Sequence, residues 1–316
     1  MSSSSSIKSI LPTSWRRVYR NIKLLFTADF EFTLRRLDYD ERSFRGLAEL
    51  FLKKNFPSII APYIPQNAIH AKQGKIFSQY GEDGMLLHIF QLIGVKYFRF
   101  VEFGVSDGRE NLSNIFGLLC QWKGVVMEAN PKISEKARSF YRTHLIGPAA
   151  DRITLIEALV TPTNINDLLC SAEMTGEIDF LSIDIDSHDY WVWKAIKVIS
   201  PRVVVIEYNS FLGKHEPLTI PLDPNFDRYA SHPFGYYYGT SLSAAVKLGK
   251  EKGYTFVGCE PTGGVNAFFI RNDVMISEIE EVTVEQGFIP QMRRAKLFPT
   301  ADQQFEQIKH LPLEKV

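Results

Sequence analysis

Asp184 and Asp186 stand two apart at the end of the apolar run Phe180–Ile185, and Glu207 and Asn209 close a second run, Val203–Ile206. Three carboxylates and an amide are all hard oxygen donors, the set that suits Mg²⁺ or Mn²⁺. Such an ion can act as a Lewis acid, holding a substrate hydroxyl and easing its deprotonation. His188, two residues beyond Asp186, offers a general base instead. Plainer readings stand beside these: Asp186 or Ser187 caps the next helix, Glu207 makes an ion pair that only holds the fold, and a lone His at a helix start is structural. While the strand stays extended, the two-residue spacing puts Asp184 and Asp186 on one side of it.

A second constellation lies upstream. Val101-Glu102-Phe103-Gly104-Val105-Ser106-Asp107-Gly108 leaves an apolar run and enters a helical pattern. A helix start there presents free N–H groups and a positive dipole end, and glycines let a ligand approach the backbone. Glu128 follows at the tip of the next run, placed to accept both hydroxyls of a ribose. The order is E-x-G-x-x-x-G, not the G-x-G-x-x-G that cradles pyrophosphate. Glu102 and Asp107 would repel a pyrophosphate and would suit a cationic sulfonium with an amino group. Electrostatics therefore favours S-adenosylmethionine (SAM) over NAD, with Glu102, Gly104, Asp107, Gly108 and Glu128 as the binding residues. A strand–helix turn without a ligand is the alternative.

Elements that could hold these residues are visible from residue 78 onward. Leu86, Ile89, Phe90 and Ile93 mark a helix stopped by Gly94, and Phe98–Phe103 is a strand. Leu112, Ile115, Phe116 and Leu119 mark a helix, Gly124–Met127 a strand, and Pro131 opens another helix. Ile153–Val160, Phe180–Ile185 and Val203–Ile206 are further strands, separated by helices over 164–172 and 190–196. After an irregular aromatic stretch at 210–239 come a helix at 241–252 and two strands, Tyr254–Val257 and Ala267–Ile270, joined through Gly263-Gly264. Apolar strands alternating with helices make a mostly parallel sheet with right-handed crossovers. The last two strands lack a helix between them and must run antiparallel. The expected fold is therefore α/β: a doubly wound, seven-stranded, mostly parallel sheet with an antiparallel terminal hairpin and a helical N-terminal extension. In an open sheet of this kind ligands sit beyond the carboxyl ends of the strands, where the order reverses. The Gly104 loop and the Asp184 tip should then be neighbours.

Bulk properties agree. The chain has 316 residues, 45% of them hydrophobic and 13% aromatic, enough for a large core. Lys+Arg and Asp+Glu are both 36, so no basic excess points to nucleic acid. Cys120, Cys170 and Cys259 form no metal or disulfide pattern and suit a reducing, cytoplasmic setting. No run of residues is long and apolar enough to span a bilayer. Residues 1–28 hold five Lys or Arg and no acid. They read as a frayed terminus, a transit segment, or a basic contact with a membrane surface. The spacing of Phe44, Leu47, Leu50 and Phe51 predicts a helix over 42–55, and prolines at 57, 62 and 65 mark a linker to 70. The chain thus divides into an extension at 1–70, a domain at 71–276 and a partly helical tail at 277–316.

Ser78-Gln79-Tyr80-Gly81-Glu82-Asp83-Gly84, VEFGVSDGREN at 101–111, LSIDIDSHDYWVWKAI at 181–196 and VVVIEYN at 203–209 together resemble FkbM-type SAM-dependent methyltransferases of class I. The resemblance spans roughly 78–271. It implies that the first glycine loop holds the methionine part of SAM and that Glu128 holds the ribose. The Asp184-x-Asp186 segment is also similar to that of macrocin-type sugar O-methyltransferases, which use a divalent ion. Many FkbM-type members carry Asp-x-Glu-Gly here, where this chain has Asp-x-Asp-Ser-His. The SQYGEDG turn could fold over a SAM pocket or cap the following helix. The aromatics of 210–239 (Phe211, Phe226, His232, Phe234 and Tyr236–Tyr238) could stack on an acceptor or simply cover the core.

The expected activity is methyl transfer from SAM to a hydroxyl of a sugar, glycan or other small molecule, with Asp184, Asp186 and His188 as catalytic candidates. Asp184, Asp186, Glu207 and Asn209 are the candidate ligands of an assisting metal. The rivals are a metal-dependent glycosyltransferase using a nucleotide-sugar, a non-catalytic SAM-fold module and, more weakly, an NAD oxidoreductase.

Overall fold

The computed structural model describes residues 69–145, 151–293 and 296–316. The helix expected at 42–55, most of the linker and the basic N-terminal segment lie outside the described residues.

A seven-stranded sheet forms the centre. Its strands are β1 (Arg99–Phe103), β2 (Lys123–Glu128), β3 (Ile153–Glu157), β4 (Gly176–Ile183), β5 (Ile199–Glu207), β7 (Tyr254–Cys259) and β8 (Asn266–Arg271), in the order β3-β2-β1-β4-β5-β8-β7. The pairings among β1–β5 are parallel, while β8 runs antiparallel to both β5 and β7. This is the expected doubly wound sheet with its antiparallel terminal hairpin. Order reverses between β1 and β4, which are direct neighbours.

Strand periodicity divides the core into two layers. On β1 and β5, Phe100, Val203 and Val205 face one layer, and Val101, Phe103, Val204 and Ile206 face the other. The first layer is roofed by α1 (Glu82–Ile93), α2 (Pro131–His144) and a single π-helical turn at Ile115–Leu119, with Phe90, Phe116 and Trp122 in mutual ring contact. The second is roofed by α3 (Ile165–Ser171), α4 (Asp189–Ala195) and α6 (Leu242–Glu251), with Trp193 against Phe269. Each of these rings is fully buried, and burying a large apolar side chain contributes roughly 1.5–3 kcal/mol.

Two expectations need correction. The helix marked by Leu112–Leu119 is only the π turn; Leu112 and Ser113 lie in a turn ahead of it, their amides donating to the Glu102 carboxylate. The glycine loop therefore does not enter the N-terminus of a full helix. Strand β4 ends at Ile183, not Ile185: Asp186 adopts a left-handed backbone (φ +55°), and the Asp189 carboxylate accepts from the amides of Ile185 (2.9 Å) and Ser187 (3.2 Å). The alternation that was to place Asp184 and Asp186 on one side thus does not apply. The tail at 277–316 is partly helical, with a short helix α7 (Val284–Gly287), and its described residues are woven into the body. Ile279 joins the first core layer, and β9 (Glu314–Lys315) pairs with β6 (Leu218–Thr219). Phe305 of α8 (Ala301–Glu306) and Ile308 just after it pack on Phe211, Tyr236 and Tyr237 in a third cluster. The aromatics of 210–239 are mainly this cover.

Candidate active site

A single cleft of about 920 Å³ runs over the carboxyl ends of β1, β2, β4 and β5. Its floor at one end is the loop after β1. Gly104 there has φ +77°, and a Cβ on it would stand 1.6 Å from the Asp184 carbonyl oxygen. The glycine loop and the β4 tip therefore cross backbone on backbone, and only glycine permits it. The Gly104 and Val105 amides donate to the Met127 carbonyl, tying the loop to β2. Ser106 takes a left-handed turn (φ +49°) that aims its amide at Glu128 Oε2 (2.9 Å), while Glu128 Oε1 accepts from the Asn130 amide (2.8 Å). Positive φ at a non-glycine residue is uncommon and clusters at functional sites. Both Ser106 and Asp186 line this cleft.

The other cofactor candidates sort themselves by role. Glu102 lines the cleft, but its oxygens hold the Leu112 (3.0 Å) and Ser113 (2.9 Å) amides, and burial raises its pKa. Asp107 lines the cleft in an ion pair with Arg109. Gly108 does not line it. Its left-handed backbone presses on α2, where a Cβ would come within 3.0 Å of the Phe140 ring and 3.3 Å of Ala137. Leu159, 63% exposed, follows β3 and lines the cleft beside Met127.

At the opposite end one carboxylate oxygen each from Asp184, Asp186 and Glu207 lies within 4.8 Å of the other two. Three of the residues chosen from sequence do converge, though through the left-handed turn at Asp186. Burial raises the carboxyl of Asp184 well above its usual range, and Asp186 and Asp189 push it further. Burial does the same to Glu207, with Asp184 next in effect and Arg228 opposing. Asp184 and Glu207 face each other as two acceptors and form a hydrogen bond only with a proton between them. Glu207 Oε1 accepts from the Tyr238 hydroxyl (3.0 Å), but Oε2 is buried and accepts nothing from the described residues.

Two sequence candidates fall outside this group. His188 is not in the cleft lining; its Nε2 lies 3.2 Å from both the Pro221 carbonyl oxygen and the Asp223 amide nitrogen, holding the loop after β6. Asn209 donates to the carbonyls of Tyr236 (2.8 Å) and Tyr238 (2.9 Å) and accepts from the Phe211 amide, so its amide group is spent on loop anchoring.

The sequence reading missed Arg228, on the short helix α5 (Arg228–Ser231). It pairs with Asp186, donates Nε to the Gly235 carbonyl (2.8 Å) and lies 3.5 Å over the Tyr238 ring. One signal was available, since Arg228 is the sole Lys or Arg between Lys214 and Lys247. Gln291 and Arg293 of the tail also line the cleft and carried no local signal. The SQYGEDG turn borders the cleft and ties down the segment ahead of it, while Gly81, the N-cap of α1, offers no side-chain cap. Asp83 Oδ2 gathers the amides of Ile76, Phe77 and Ser78 at 2.7–2.8 Å, and Gln79, Tyr80 and Glu82 line the cleft.

The strand order, with antiparallel β8 inserted between β5 and β7, decides the fold. It is the class I SAM-dependent methyltransferase fold. No family model and no curated protein matches the sequence. Among solved structures, the chain is similar to the methyltransferase domain of bacterial CtHen1 (13% identity, 60% of this chain and 96% of that one, TM-score 0.40). It is also similar to an O-methyltransferase from Bacillus cereus in complex with SAH (16%, 77% and 96%, TM-score 0.38) and to the METTL16 methyltransferase domain (14%, 74% and 81%, TM-score 0.40). In this methyltransferase-fold cleft, eight acidic side chains face four Lys or Arg.

Proposed function

We propose that this chain is an FkbM-type, SAM-dependent O-methyltransferase acting on a hydroxyl of a neutral small molecule, sugar or glycan. One observation carries the reading. A single acid-rich cleft joins the Gly104–Glu128 constellation to the Asp184–Asp186–Glu207 trio across the switch point. An acidic lining favours a sulfonium donor and an uncharged acceptor over a nucleotide diphosphate. Glu128 accepts at the ribose, Met127 and Leu159 offer apolar contact to the base, and the loop at 104–107 lies along the methionine part. The residues 75–82 close the cleft from above and keep water from the sulfonium.

The trio fits a divalent ion. It supplies three oxygen ligands around one point, and Glu207 Oε2 is buried without a donor. When bound, such an ion would supply Lewis-acid polarisation of the acceptor hydroxyl. Asp184 and Glu207 also support a metal-free version. Burial raises both above ordinary carboxylates, so with one proton shared between them the member left ionised can take the hydroxyl proton as the methyl group leaves sulfur. In both versions the main contribution is placing oxygen in line with the methyl group.

Calorimetric titration with SAM, NAD and a UDP-sugar, each with and without Mg²⁺, tests the reading. SAM alone is expected to bind in the micromolar range, about −8 kcal/mol. Binding of the UDP-sugar with no heat from SAM would turn the assignment to a glycosyltransferase.

A further inference from the structure

The trio already has a cation beside it. The Arg228 side chain is 12% exposed and pairs with Asp186, whose own side chain is 58% exposed. Its placement is fixed from three directions: the Asp186 carboxylate, the Gly235 carbonyl and the face of the Tyr238 ring. The ring that carries Arg228 also presents its hydroxyl to Glu207 Oε1. Loop 223–239 thus brackets the trio at two of its three members. A guanidinium held this way loses little freedom on pairing and neutralises part of the trio's charge. Any divalent ion taken up by the same oxygens would sit beside a fixed positive charge and would weaken its hold on Asp186.

We propose that Arg228 is a resident cation that competes with divalent ions for the carboxylate trio, so that ion occupancy and the Arg228–Asp186 pair are alternatives. Arg228 then sets how selective the site is for metal and couples ion binding to the loop that covers the acceptor end. By linkage, whatever weakens the pair strengthens the ion, and the ion loosens the loop to the same degree. The inference rests on the trio being able to ligate an ion; it does not depend on SAM.

The test uses Mn²⁺ alone on the full chain, read by electron paramagnetic resonance of the free ion. Arg228→Gln is expected to bind Mn²⁺ at least about tenfold more tightly than the unaltered protein. Arg228→Lys, which keeps the charge, should stay within about threefold of it, short of a full decade. A second readout needs no variant: saturating Mn²⁺ should speed amide exchange across 226–235 in the unaltered protein. The proposal is overturned by unchanged or weaker Mn²⁺ binding in Arg228→Gln, by equal tightening in the Lys variant, or by no Mn²⁺ binding in any of them. SAM titrations on the same samples keep the two ideas apart. Retained SAM binding with no Mn²⁺ difference removes the competition alone, whereas no SAM binding in the unaltered protein removes the methyltransferase reading.

Discussion

The two ends of the cleft are built on opposite plans. At the β1–β2 end the geometry is made by main chain. Gly104 crosses the Asp184 carbonyl, Ser106 and Asn130 offer amides to Glu128, and the whole arrangement comes from neighbouring strands. At the β4–β5 end it is made by side chains that repel one another and are held by residues far away in sequence, Arg228, Tyr238 and the tail behind them. The first plan suits a ligand that never changes. The second concentrates carboxylates at one point and hands their placement to the covering loop.

That contrast can be broken in order of size. Gly104→Ala attacks the joint between the ends, combining a left-handed backbone with a contact no Cβ can make. It should cost about 3 kcal/mol or more, read as a fall in the denaturant midpoint, with loss of both ligand functions. A stable Gly104→Ala protein with normal SAM affinity would refute the crossing. Glu207→Gln or Asp184→Asn should lower methyl transfer on the order of 10²–10³-fold and leave SAM affinity within a factor of about three. Equal loss of both would show that the two ends are not separate. Glu128→Ala should do the reverse, weakening SAM about tenfold to a hundredfold while kcat at saturating SAM changes little.

The smallest effect is on stability. Burial raises the carboxyl pKa of Asp83 to about 6 and of Glu260 and Asp189 to about 7, with Glu82 adding to Glu260 and Asp186 to Asp189. Unfolded carboxyls titrate near 4, so these three groups hold more protons in the folded chain between about pH 4 and pH 7. Together they outweigh His88, whose pKa burial lowers to about 4. Stability should therefore fall as pH rises through that window and level off above it. The melting temperature should be lower at pH 8 than at pH 5. Glu260→Gln should remove roughly 2–4 °C of that fall. A melting temperature that rises with pH would contradict the buried-carboxylate picture.

Much of the β1–β2 end was legible in sequence because its parts are local. A loop follows a strand, an acid ends the next strand, and parallel pairing brings them together. Even there the reason for Gly104 differs from the one read: it makes room for the Asp184 backbone. The trio was legible as a set of oxygen donors, but its geometry was not. The left-handed turn at Asp186 depends on Asp189 capping the bend from three residues further on. His188 and Asn209 shared the neighbourhood of the trio but are used up on carbonyls and amides of the covering loop. Arg228, Gln291 and Arg293 could not be placed because no strand or helix period links them to the sheet. They arrive through loops whose course is set by packing against residues 298–313.

The crossing of Gly104 over the Asp184 carbonyl has a further meaning for how the cleft keeps its span. The distance from the β1–β2 end to the carboxylate trio is gauged by two peptide segments in close contact, a ruler that carries no side chain to mutate or repack. Side chains around the trio could be exchanged one by one, and that span would stay calibrated.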